Sequence, residues 1–172
     1  IYKLINMPLR NYSNFTLLII GGSQGANIFD KNLKNTLVNI SKKFSIKVIQ
    51  QTNEKNITNL RDFYYKNNIE NTIFSFDKDF ANIIQQADFC LTRAGASTLA
   101  ELSVLNIPFL AVPLPKSKDN HQFENANFYK NYDCCWMVEQ NFFEEKIEEI
   151  LKDILMNKNE HSKKKQNLKK LN

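Results

Sequence analysis

Six short apolar runs alternate with six longer stretches of helical spacing, and no other feature of the sequence restricts its fold as strongly. The runs fall at 16–20, 46–51, 72–76, 89–92, 109–112 and 134–138. The first, Thr16-Leu17-Leu18-Ile19-Ile20, is what a strand covered on both faces requires. Ile28, Leu33, Leu37, Ile40 and Phe44 then keep near-helical spacing out to about residue 44. Further helices are predicted over 55–67, 79–86, from the Arg93 turn to about 105, over 121–131 and over 142–156. The last carries Ile147, Ile150, Leu151, Ile154 and Leu155 on one side. Alternation of this kind means βαβ units and a parallel sheet with helices on both faces. The fold class is α/β, a Rossmann-like doubly wound sheet of about six strands. A chain of 172 residues fits one such domain. No repeat of solenoid period is present. The expected organisation is a leading segment or linker remnant at 1–15, the main domain at 16–157, and a Lys-rich C-terminal helix or tail at 158–172.

Charge narrows the function classes. The formal net charge is +5, yet residues 161–172 hold five Lys and no acid. The first 160 residues balance at 18 basic and 18 acidic side chains, so the folded body is not basic. Only three of the 23 cations are Arg, namely Arg10, Arg61 and Arg93, which leaves little for reading base edges. Nucleic acid is not an expected partner. The Lys cluster at 163–170 is expected either to be a solvated helix end or to touch anionic lipid. The 24 Asn are spread evenly through the periodic segments and read as coding bias. Cys90, Cys134 and Cys135 are odd in number and form no C-x-x-C pair. They argue against a disulfide framework and a zinc site, and for a reducing, cytoplasmic compartment. No apolar run approaches the ~20 residues of a membrane span, and no secretory signal is read.

In open sheets of this type ligands sit beyond the carboxyl ends of the strands. Three motifs fall there. Gly21-Gly22-Ser23-Gln24-Gly25-Ala26 joins the first strand to its helix, with three of the chain's four Gly inside five residues. Gly lets backbone N–H groups approach an anion, and the helix N-terminus adds positive partial charge. The spacing is neither G-x-G-x-x-G nor a P-loop, so phosphate binding competes with a turn that only permits close packing. Arg93-Ala94-Gly95-Ala96-Ser97-Thr98-Leu99-Ala100-Glu101 repeats the arrangement after the fourth strand. Ser97 or Thr98 is a candidate cap, and free amides at 96–98 suit a second phosphate. Thr98 and Glu101, three apart, read either as a capping box or with Glu101 as acceptor for a vicinal diol. Leu99, Leu102 and Leu105 mark the buried side. Asp119-Asn120-His121-Gln122-Phe123-Glu124-Asn125 opens a further helix. Its amides and imidazole suit sugar hydroxyls, or belong to an Asp119-capped surface helix.

Other features are plainer. Asp77-Lys78-Asp79 is a D-x-D, expected as a helix-start pair and not as a metal site. His121 and His161 are the only histidines, so a His-rich metal centre is excluded. Cys134-Cys135 is expected to pack in core and edge.

In order and spacing, G-G-S-Q-G-A, A-D-F-C-L-T-R-A-G-A-S-T-L-A-E-L, I-P-F-L-A-V-P-L-P and D-N-H-Q-F-E-N-A resemble the C-terminal half of the MurG family over about residues 15–140. These are bacterial UDP-N-acetylglucosamine (UDP-GlcNAc) transferases that make lipid II. The resemblance implies the GT-B architecture of two Rossmann-like domains, with UDP-GlcNAc held mainly by the C-terminal one. It further implies inversion at the sugar C1, lipid I as acceptor, no metal, no cofactor, and peripheral placement on the cytoplasmic membrane face. By position, Ser23, Gln24 and Gly25, with Gly22 as a further candidate, would contact the diphosphate. The backbone of Asp77 would meet the uracil. Ala96, Ser97, Thr98, Leu99, Ala100 and Glu101 would line diphosphate and ribose, with Glu101 taking the ribose hydroxyls. Gln122 and Asn125 would address the sugar hydroxyls beside His121. Arg93 is expected to support its loop without touching ligand.

The family's acceptor-binding N-terminal domain and the Asn-Pro-x-Arg linker are not in this sequence. The chain, opening at Ile1, is therefore expected to be a fragment or isolated domain, and no catalytic residue is assigned. Two alternatives stand beside this. One is a stand-alone nucleotide-sugar-binding subunit of a split glycosyltransferase that docks a membrane-bound partner. The other, weaker, is a UDP-sugar epimerase, for which no further acidic and basic groups are placed.

Overall fold

The computed structural model describes residues 14–77, 79–115 and 120–172, and only the backbone of 22–26. Six strands form one parallel sheet: β1 (Phe15–Ile20), β2 (Ile46–Gln51), β3 (Glu70–Phe74), β4 (Phe89–Thr92), β5 (Phe109–Ala111) and β6 (Cys135–Met137). Their order is β3-β2-β1-β4-β5-β6. The chain winds outward from β1 to β3, returns to the far side of β1 as β4, and winds outward again. The reversal lies between β1 and β4, where Leu17 pairs with Phe89 and Ile20 with Thr92.

The helices are α1 (Gly22–Ser41), α2 (Ile57–Lys66) behind a single 3-10 turn (Glu54–Asn56), α3 (Phe80–Gln85), α4 (Ala96–Val104), α5 (His121–Asn131), α6 (Gln140–Met156) and α7 (Lys158–Leu171). Strand alternation divides the core in two. Leu17, Ile19, Val48 and Leu110 face α1, α2 and α6 through Phe29, Leu33, Leu60 and Ile147. Leu18, Ile20, Cys90 and Phe109 face α3, α4, α5 and α7 through Ile84, Leu99, Ala126 and Leu168. Each fully buried Leu or Ile contributes about 1.5–3 kcal/mol.

Three helices end in one way. Asn68, Asn106 and Asp133 lie two residues beyond α2, α4 and α5, with φ of 55°, 55° and 53°. Their amides donate to Tyr65, Ser103 and Lys130 carbonyls. The next amides, of Ile69, Ile107 and Cys134, reach back to Tyr64, Leu102 and Tyr129 at 2.9 Å. This is the Schellman arrangement, with the following side chain buried in each case. Gly usually takes the left-handed position, but this chain has four Gly and 24 Asn. Asn and Asp tolerate that conformation. Part of the Asn content thus has a structural use that coding bias alone does not describe.

The structure corrects several sequence-level expectations. The third strand is two residues earlier than 72–76, because β3 is an edge strand and accepts Glu70, which meets Lys47 across the register at 3.3 Å. The capping box does not form: α4 begins at Ala96 behind Gly95, with no side-chain cap, so Thr98 and Glu101 already lie inside the helix. The Lys-rich end is not simply solvated. Lys164 is 5% exposed, donates to Asp133 at 2.6 Å, and lies 4.6 Å from the Trp136 ring centroid. The anticipated Asp119 cap and Lys78 lie outside the described residues. Asn120, which is described, precedes α5 with φ 58°.

Candidate functional site

The paired ends of β1 and β4 bring two strand-to-helix junctions together. Adjacent parallel strands are about 4.8 Å apart. The junctions 20–22 and 92–96 therefore open side by side at the carboxyl edge. Both helices run away from that edge, so two N-termini, whose first-turn amides have no partner within the helix, flank the crevice that open sheets of this type carry at the reversal. At the first, Gly21 precedes α1 with no side-chain cap, and the backbone of Gly22, Ser23, Gln24, Gly25 and Ala26 forms the opening turn. At the second, Gly95 is extended at φ −66°, ψ 132°, and nothing lies within 4 Å of where a Cβ would stand, so the space above it is open. Ala96 and Ser97 are exposed and Thr98 half-buried. The Leu99 amide donates to the Gly95 carbonyl at 3.0 Å and its side chain is in the core, so Leu99 offers no free group here. Ala100 and Glu101 are exposed on the second turn of α4.

α5 is tied to this edge by the residues predicted for sugar contact. Asn125 Nδ2 donates to the Ala94 carbonyl at 3.1 Å, and Gln122 Oε1 accepts from the Leu114 amide at 2.8 Å. His121 is exposed at the start of α5. These side chains thus fix both the β4–α4 turn and the Pro113–Pro115 turn. Asp77 sits apart. It follows β3, which lies three strand spacings, roughly 14 Å, from β4. Its Oδ1 accepts from the Asp79 amide at 2.7 Å, as a helix-start turn does. Among the described residues no group of three or more His, Cys, Asp or Glu is placed to hold a metal.

Arg93 is the buried brace of the crevice. It is 7% exposed and lies 5.6 Å from the Phe29 ring. One amino group donates to the Val112 and Pro113 carbonyls at 3.1 and 3.4 Å, the other to Gln140 Oε1 at 2.6 Å. Burial lowers its pKa. Loop support was legible for Arg93, but its partner Gln140 was not, since nothing in the sequence pairs the two. Phe76 was missed as well. It is 77% exposed, directly before Asp77, and an aromatic left open at a strand's carboxyl end is a ready stacking surface.

Comparison with known proteins decides the family. The glycosyltransferase family 28 C-terminal domain matches residues 16–172. The chain belongs to this family. It is 45% identical over 164 residues to the UDP-N-acetylglucosamine–N-acetylmuramyl-(pentapeptide) pyrophosphoryl-undecaprenol N-acetylglucosamine transferase of Pelagibacter ubique (strain HTCC1062), covering 95% of this chain and 46% of that protein. The enzyme of the same name from Rickettsia typhi is 35% identical, with 91% and 42% covered. This family 28 domain thus spans about half the length of the curated relatives it matches. Among solved structures, Acinetobacter baumannii MurG superposes with a TM-score of 0.81 at 23% identity, over 94% of this chain and 46% of that one. A UDP-GlcNAc 2-epimerase from Neisseria meningitidis, bound to UDP-GlcNAc, gives 0.62 at 13% identity, over 88% and 38%. Both likenesses concern the fold.

Proposed function

We propose that this family 28 domain binds UDP-GlcNAc as donor for transfer of GlcNAc to lipid I, forming lipid II in peptidoglycan synthesis. The observation that carries the reading is the juxtaposition of two uncapped helix N-termini across the β1–β4 reversal. The 45% identity to a curated transferase of that activity supports it. In this reading the unit runs from residue 16 to 157 with α7 packed on it. Ser23 and the amides of 23–25 and 96–98 hold the diphosphate. Glu101 accepts from the ribose hydroxyls. The Asp77 backbone meets the uracil with Phe76 over its face, and Gln122, Asn125 and His121 face the sugar. Lipid I is taken by a second domain, at the cytoplasmic face of the membrane.

Transfer breaks the bond between the sugar C1 and the diphosphate oxygen as the acceptor hydroxyl attacks, with inversion. Negative charge grows on the departing UDP. Preorganised amides and the two helix dipoles stabilise that charge without a metal or cofactor. Hydrogen bonds to charged groups are each worth about 1.5–3 kcal/mol, so Ser23→Ala and Glu101→Ala should each weaken UDP-GlcNAc binding about tenfold or more. Calorimetric titration checks this, and unchanged affinity in both variants rejects the reading.

The second reading is a stand-alone nucleotide-sugar-binding subunit with a separate membrane-bound partner. What supports it is size alone: the match to ALG13 solved in solution covers 74% of this chain and 79% of that one, at a TM-score of 0.52 and 12% identity, so a fold of this type can stand as a short separate chain. An upstream, in-frame coding sequence bearing a second Gly-rich loop would favour one polypeptide; its absence would favour the split arrangement.

A further inference from the structure

The largest buried polar cluster among the described residues lies away from the crevice, beneath α1. Asp30 on α1 is 8% exposed, and its carboxylate accepts three hydrogen bonds. Gln50 Nε2 of β2 donates to Oδ1 at 2.8 Å. Thr52 Oγ1 and Asn56 Nδ2, from the segment joining β2 to α2, donate to Oδ2 at 2.5 and 2.9 Å. The Gln50 amide is held in register by Tyr64 of α2, whose hydroxyl donates to Gln50 Oε1 at 2.6 Å. Gln50 and Tyr64 are fully buried and Thr52 is 3% exposed. One turn nearer the crevice, Asn53 Nδ2 donates to Asn27 Oδ1 at 3.1 Å. The bonds to Asp30 meet the third turn of α1, and the bond to Asn27 its second.

We propose that Asp30 is a positioning residue for the anion cradle, fixing the axial register of α1 so that the amides of its first turn face the crevice. The core contacts of α1, through Phe29, Leu33, Leu37 and Ile40, are apolar and non-directional, and tolerate sliding along the helix axis. Its other polar contacts, Asn39 Nδ2 to Glu148 Oε2 at 3.0 Å and Lys34 over the Phe63 ring, join exposed or flexible side chains, whereas the Asp30 bonds are buried. Hydrogen bonds to a charged acceptor are directional and strong. Asp30 stands eight residues from Gly22, about 12 Å along the axis. A slip at Asp30 is carried to the first turn undiminished, because a helix is stiff over two turns. A cleft of about 260 Å³ lined by Asn27, Lys31, Lys34, Asn56, Asn59 and Leu60 opens beside the carboxylate. Water entering there can satisfy Gln50, Thr52 and Asn56 if the carboxylate is removed, so the fold tolerates the loss while the register does not.

This inference rests on the donor reading for its functional meaning. The test is titration of UDP and of uridine into wild type, Asp30→Ala and Asp30→Asn. Asp30→Ala should weaken UDP about tenfold, the worth of one charged hydrogen bond, while uridine, which lacks the diphosphate, changes little. Asp30→Asn should recover most of the loss, since the introduced carboxamide accepts from Gln50 and donates to the Thr52 hydroxyl and to Asn56 with its amide turned. Unchanged UDP affinity in Asp30→Ala, or equal losses for UDP and uridine, overturns the proposal. If wild type binds no UDP, the donor reading fails, and amide hydrogen exchange in the unliganded protein decides. Faster exchange over residues 27–34 and 52–60 in Asp30→Ala, with β4 and α4 unchanged, supports the register role. Identical exchange overturns it.

Discussion

Single side chains at the crevice act mostly by bracing other chain segments. Arg93 is the clearest case. Its guanidinium satisfies two carbonyls of the β5 exit and the Gln140 amide at the head of α6. Replacing it with Met keeps the contact with Phe29 but leaves those acceptors unpaired in a buried place. Arg93→Met should cost about 2–3 kcal/mol in urea denaturation, the penalty of orphaned buried acceptors. Asp133 gives a pH signature. Hydrogen bonds from Lys163 and then Lys164 hold its carboxyl below the ordinary range. The unfolded chain therefore binds the proton more readily than the folded one, and stability from this group is complete above the unfolded pKa. It is lost as pH falls through the folded value. Lys164→Met should flatten the acid limb of a stability–pH curve below about pH 4, and lower neutral stability by about 1–2 kcal/mol through the lost contact with Trp136. A curve that superposes on wild type would contradict this.

At the scale of elements, the left-handed helix ends carry a prediction that needs no ligand. Asn68→Gly and Asn106→Gly keep φ near 55° without strain and should stay within about 0.5 kcal/mol of wild type. Val at either position should cost about 1–2 kcal/mol, because a β-branched side chain resists that conformation. Equal melting of the Gly and Val variants would refute the assignment. The same positions explain where sequence reading stops. Apolar alternation located all six strands, with β2 and β4 correct to the residue, since buried parallel strands have few ways to look otherwise. Asn106, by contrast, is one amide among many, and its role depends on a backbone angle that no local pattern records. The two Gly-bearing turns were legible as strand-to-helix junctions because Gly is so rare here. The Asp30 network was not, since Gln50, Thr52 and Tyr64 are brought to it only by strand pairing and helix packing. Glu70 hid the start of β3 for a related reason: its charge suits an edge that the sequence does not announce.

Across the whole molecule, the order β3-β2-β1-β4-β5-β6 sets the reversal beside β1 and so decides where a ligand can meet two helix ends at once. If charge on a diphosphate is held by amides alone, UDP-GlcNAc affinity should be the same in excess EDTA and in millimolar magnesium. A calorimetric difference of more than about tenfold would show that a cation shares the load. α7 closes the opposite pole. His161 Nε2 meets the Asp88 carbonyl at 2.8 Å, Leu168 enters the core, and Asn172 Nδ2 donates to the Ser103 carbonyl at 2.8 Å. Leu168→Ala should cost about 2–4 kcal/mol and loosen that closure, a change visible as a lower urea midpoint. Cys90, Cys134 and Cys135 lie under these layers, all buried and all unbonded to one another. Burial drives the Cys90 thiol well above its usual range and raises Cys135 to about 12. Electrophiles should therefore find no thiolate until the sheet parts, and the rate at which a thiol reagent is consumed becomes a clock for how often this domain opens.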